Sequence, residues 1–167
     1  MPQLTDRSMA TVDVKFTALP AHVRTARLVA LAVARRTGVA EELLDEVRLA
    51  VGEACSRAVG VHARRAPSAP ISMRLSDDDK SFTVEVVDVG PLEDDAQDGD
   101  FGSLDAAALS SALDSDDVSD GVPAGFGLAV IGGLVEQLAV SSDDAGTHVT
   151  MAWPVGPGNS DGRPGEL

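Results

Sequence analysis

Asp88 stands just past a strand-like apolar run and two residues before Gly90. A carboxylate so placed can accept from an exocyclic amine such as that of adenine, and the glycine beside it lets a ligand approach the backbone. The same Asp-Val-Gly is also an ordinary turn after a strand. Gly125-Phe126-Gly127-Leu128 opens a helix-like run, where free N–H groups and the positive end of the helix dipole suit a phosphate. A hinge with close helix-to-sheet packing would use the same two glycines. Glu53 and Arg57 lie four apart on a helical segment and so share a face, which Gly60 continues with a bare spot. Glu53 could act as a general base toward a hydroxyl. Equally, the two could form a salt bridge worth about 0.2–0.5 kcal/mol, and an arginine so close would lower the Glu53 pKa and keep it ionised.

Arg24, Arg27, Leu28, Leu31 and Arg35 recur at helical spacing on an earlier segment. Arginine and leucine mixed on one face suit a protein interface, and equally a solvated face with stems lying along it. Cys55 has no CxxC partner and reads as a small buried residue. His22, His62 and His148 are scattered, no acid joins them at metal-ligand spacing, and they receive no role. No metal site is expected.

The elements that must position these residues are legible in the periodicity. Residues 11–16 alternate as a half-buried strand. Pro20 starts a helix that runs to Thr37 and stops at Gly38, and a second helix follows from Ala40 to His62 with acids in its first turn. Ile71–Leu75 and Phe82–Val87 form an antiparallel hairpin around Asp77-Asp78-Asp79-Lys80. A helix from Gly125 to Leu138 precedes a last hairpin, 138–141 with 147–153. Strands that cluster in hairpins favour an α/β two-layer sandwich: a mixed, mostly antiparallel sheet with helices on one face.

Length allows one domain, expected over 11–154 between a loose lead-in (1–10) and a disordered tail (155–167). Within it, residues 91–123 hold ten Asp or Glu and no Lys or Arg, which reads as an acidic lid. A net charge of −14 disfavours direct contact with nucleic acid. No apolar run approaches a membrane span, and a single cysteine fits a cytoplasmic setting.

In order and spacing, these segments resemble the GHKL ATPase superfamily, and within it the small anti-sigma factor and serine kinase family of the RsbW type. The resemblance covers about Val12 to Trp153. The segment from Leu49 to Val59 looks like the family's N box, Asp88-Val89-Gly90 like its first glycine box, Gly125-Phe126-Gly127-Leu128 like its second, and Gly146-Thr147 like its late Gly-Thr. The resemblance implies a Bergerat-type fold binding ATP or ADP, with Asp88 on adenine supported by Thr147. It also implies Glu53 as base for phosphorylating a serine of an anti-anti-sigma (STAS-type) partner, a sigma factor as second partner, and Arg27 in the partner surface. A homodimer through the first helix and a sheet edge is compatible with it.

Three departures matter. The N-box Asn that holds magnesium is Arg57 here, and a guanidinium offers donors only. Leu92 replaces the second glycine of the first box, and the lid is acidic where a nucleotide would want bases. Either Arg57 pairs with phosphate directly, or nucleotide chemistry is lost and the domain is kept for protein binding. The expectation is an anti-sigma factor with kinase activity weak or lost; the alternative is an active serine/threonine kinase.

Overall fold

The computed structural model describes residues 10–90, 127–135 and 137–156. The expected lid, Gly125 and nearly all of the lead-in and tail lie outside the described residues. The element order is β1 (Ala10–Phe16), α1 (Pro20–Thr37), a 3-10 turn (Glu41–Leu43), α2 (Leu44–Arg65), β2 (Ile71–Asp77), β3 (Ser81–Asp88), α3 (Gly127–Leu134), β4 (Gln137–Asp143) and β5 (Gly146–Pro154).

Helix boundaries follow local chemistry. Pro20 occupies the first turn of α1, where its missing N–H would have no helical partner anyway. At the other end Gly38 adopts φ 98° and its N–H closes on the carbonyls of Ala34 and Arg35. The second helix differs from expectation: residues 41–43 make one 3-10 turn and the α-helix begins at Leu44. Asp45 and Glu46 then sit in its first turn and His62, Arg64 and Arg65 in its last, matching the helix dipole at both ends. The expected Gly125–Leu138 helix stops at Leu134, because Gln137 is already paired with Ala152 in the sheet.

The five strands form one sheet in the order β1-β2-β3-β5-β4. Every pairing among them is antiparallel, which narrows the expected mixed sheet. Alternation assigns the two faces. Ile71, Met73 and Leu75, then Phe82, Val84 and Val86, then Val149, Met151 and Trp153 are buried, each contributing about 1.5–3 kcal/mol by burial. The rings of Phe82 and Trp153 stack with centroids 6.1 Å apart. The intervening residues, among them Arg74, Glu85 and His148, lie on the other face.

On the buried side α2 is the central helix, packed between α1, α3 and the sheet. Its small buried residues Ala50, Ala54 and Ala58, with Ala26, Ala30 and Ala34 of α1, let the two helices approach closely. At Gly52 a Cβ would lie only 2.9 Å from Arg27 Cδ, so the arginine stem crosses the helix there.

Two strands end on polar residues of this same buried face. The row 82, 84, 86 of β3 continues to Asp88, and Asp88 pairs in register with Thr147 at the start of β5. Both are buried, 2% and 0% exposed. A buried row that ends in a carboxylate demands a partner, and α2 supplies it.

Candidate functional site

Arg57 of α2 donates from Nη1 to Asp88 Oδ2 in an ion pair whose two side chains are 3% and 2% exposed. The other carboxylate oxygen, Oδ1, accepts the Gly90 N–H at 2.7 Å. Charges in so dry a place persist only when paired and hydrogen-bonded. Thr147 Oγ1 donates to the Gly90 carbonyl at 2.6 Å, leaving its oxygen to accept from the Ser142 hydroxyl at 3.0 Å. His62, fully buried one helical turn beyond Ala58, completes the frame. The Val89 N–H donates to its Nε2 at 3.1 Å, so Nδ1 carries the proton and donates to the Ala69 carbonyl at 2.9 Å. Each residue of Asp88-Val89-Gly90 is thus held by a side chain from elsewhere in the fold.

The glycines of this turn serve packing. A Cβ on Gly90 would sit 2.4 Å from Val61 Cγ1, so the space beside Gly90 belongs to α2. The backbone of Gly146 likewise lies against that of Asp88 and Val89.

Glu53 lies apart from this cluster. It lines a cleft of about 220 Å³ between α1 and α2 with Val23, Arg27, Gly52, Ser56 and Gly60. Burial raises its pKa above the ordinary carboxylate value, and the Arg27 charge opposes that only in part. The expectation that a neighbouring arginine would lower it is therefore corrected: desolvation is the larger effect, and the opposing cation is Arg27. A carboxylate with raised proton affinity is a better base than a solvated one. The Cys55 thiol, wholly buried, is pushed up to about 12, in keeping with its reading as a packing residue.

On α1, Arg24 and Leu28 are exposed one turn apart, Leu28 at 59%. Arg27 is half-buried over Gly52, and Leu31 is half-buried and packed on the core. The predicted Arg/Leu face is therefore split into an outer pair and an inner pair. Gly127 begins α3 and Leu128 follows it in the same turn.

Sequence reasoning brought Asp88, Gly90 and Thr147 together as the structure does. It gave no role to His62 and His148, yet His62 lies four residues beyond Ala58 on the buried face of α2 that Val47, Val51 and Ala54 share. His148 joins Glu85 at 3.0 Å and Asp143 at 3.1 Å on the opposite sheet face.

A magnesium-bound nucleotide, which the resemblance implies, can be tested against these residues. Arg57, which the resemblance puts where a cation-holding amide would be, has no lone pair to give. Among the described residues no group of three or more His, Cys, Asp or Glu could hold a metal. At position 57 the guanidinium does not fit the ion.

An open antiparallel sheet with its helices on one face, and a buried Asp-Val-Gly turn against the central helix, define a GHKL-type ATPase fold. The chain belongs to the family of the histidine kinase-like ATPase domain, whose model matches residues 16–153. It is 28% identical over 144 residues to the serine-protein kinase RsbW of Bacillus velezensis, covering 86% of this chain and 85% of that one. To RsbW of Bacillus subtilis it is 27% identical over 140 residues, covering 84% and 82%. In structure it resembles the RsbU and RsbW domains of a Mycobacterium tuberculosis protein, with TM-score 0.58, 16% identity and 86% of this chain covered. It spans only 32% of that longer chain. It also resembles a chain of the SiaB–SiaC complex of Pseudomonas aeruginosa, with TM-score 0.57, 14% identity, and 85% and 88% covered. No helix among the described residues is long and apolar enough to cross a membrane.

Proposed function

We propose that this chain is an anti-sigma factor of the RsbW type, acting in the cytoplasm. It sequesters a sigma factor and is released by an anti-anti-sigma, STAS-type partner, with its own kinase activity weak or lost. The observation that carries the reading is Arg57, a buried donor-only side chain where a kinase of this family needs a metal-holding amide. Phosphoryl transfer relies on a cation to neutralise charge developing between the β- and γ-phosphates, whereas sequestration needs only a surface. The exposed Arg24–Leu28 pair, continued by Arg27 and Leu31, offers one. Similarity to two RsbW proteins across most of both chains supports the class of partner.

The experiment is retention of purified sigma factors on the immobilised chain, beside Arg27→Glu. Retention by the wild type and its loss in a folded Arg27→Glu variant support the reading; a chain that retains no sigma factor at any concentration sinks it. A second reading, an active serine kinase with Glu53 as base, draws on the raised proton affinity of that carboxylate. Phosphate transfer to an anti-anti-sigma substrate that disappears in Glu53→Ala would establish it instead.

A further inference from the structure

We propose that Arg57 occupies the Asp88 carboxylate that a nucleotide base would need, so that the wild-type chain is closed to ATP and ADP and opens to them when Arg57 is shortened. The inference rests on Asp88 being the nucleotide carboxylate that the family resemblance implies.

Recognition of an exocyclic amine requires a carboxylate lone pair directed into the pocket. At Asp88 the two oxygens are engaged, Oδ2 by the Arg57 guanidinium and Oδ1 by the Gly90 N–H. The arginine side chain runs inside the protein to reach it, 3% exposed along its length. Each oxygen keeps a second lone pair, but the Asp88 side chain is 2% exposed with the guanidinium against it, so an incoming neutral amine would have to push a charged donor aside to reach one. The displaced guanidinium would then be left in a dry place without its carboxylate.

The turn also needs no ligand to hold its shape. His62 satisfies the Val89 N–H and Thr147 the Gly90 carbonyl. A pocket whose polar groups are already satisfied from within gains little from a nucleotide. Asparagine at position 57 is shorter than arginine and carries no charge to pair with Asp88. It would free Oδ2 and leave room that the arginine now fills.

The test is calorimetric titration of ATP and of ADP, with and without magnesium, into the full chain and into Arg57→Asn and Arg57→Gln. Trp153 fluorescence and circular dichroism identify which variants are folded. The expected result is no wild-type binding below about a millimolar, and binding on the order of a hundredfold tighter in the folded variant. Wild-type binding at micromolar concentration would overturn the proposal, as would a folded variant that binds no better than the wild type. If neither variant folds, the wild-type titration alone decides in the same way. No protein partner enters the experiment, so its outcome is independent of whether a sigma factor is retained.

Discussion

Gly146 touches Asp88 so closely that a Cβ on the glycine would lie 1.6 Å from the Asp88 carbonyl oxygen. Gly146 also adopts φ +133°, a conformation open mainly to glycine. Steric overlap and backbone strain add at one position. Gly146→Ala is expected to lower stability by about 3 kcal/mol, read from the urea midpoint. A loss below about 1 kcal/mol would show that the β4–β5 turn can shift away from the Asp88 turn.

Arg57 and Asp88 should behave as one unit. Arg57→Met leaves a buried carboxylate without its cation and should cost about 3–5 kcal/mol. Adding Asp88→Asn removes the orphaned charge while keeping an acceptor for the Gly90 N–H, so the double variant should recover most of that loss. Equal and additive losses in urea unfolding would mean that the pair is not coupled.

His148 predicts a pH dependence. Its ring lies between Glu85 and Asp143, and Arg74 links Glu85 onward to Asp13, at 3.9 and 2.8 Å. The Glu85 hydrogen bond, followed by Asp143, raises the His148 pKa above its ordinary value. The folded state therefore binds this proton more tightly than the unfolded one. The stability it confers is complete below about pH 6.5 and fades as pH rises through the raised folded value. Unfolding midpoints of the wild type should fall between about pH 6 and pH 9, and more steeply than those of His148→Gln. Parallel profiles would remove His148 as the cause.

Glu53 predicts the opposite sense for a substitution. Its raised pKa means that the ionised carboxyl is penalised in the folded state. At neutral pH Glu53→Gln should therefore raise the melting temperature by a few degrees, on the order of 1 kcal/mol. The advantage should vanish as pH falls through the raised folded value toward the unfolded one, where Glu53 is protonated in both states. A destabilised Gln variant at neutral pH would show that the Arg27 attraction outweighs burial.

Cys55 should be silent toward thiol reagents. It is fully buried and its thiol is pushed up to about 12, so thiolate is scarce and out of reach. Modification should occur only at the rate of global opening and become immediate in denaturant. Fast labelling of the native chain would reveal local opening of α2.

The strands were legible because alternation is a local property. β3 shows it along its whole length and β2 and β5 over most of theirs, and the parity that buries Phe82, Val84 and Val86 also places Asp88 on the helix side. Gly38 announced the end of α1 through its left-handed conformation. The partner of Arg57 was not legible in this way. Helical spacing directs attention to Glu53, four residues away, whereas the guanidinium reaches Asp88, 31 residues on. The ladder Asp13, Arg74, Glu85, His148, Asp143 crosses all five strands, and its members meet only once the register is known. Sequence periodicity tells which face a residue takes, and pairing tells whom it meets there.

The burial of Arg57 against Asp88 also limits how this chain can drift. Position 57 cannot lose its cation alone without leaving the buried Asp88 carboxylate short of one, so a change there is tied to a change at position 88. A descendant that acquired an amide at position 57 would first pass through a less stable protein, unless a ligand took over the vacated carboxylate in the same step. The ion pair is in that sense a lock on position 57, whatever chemistry the chain performs.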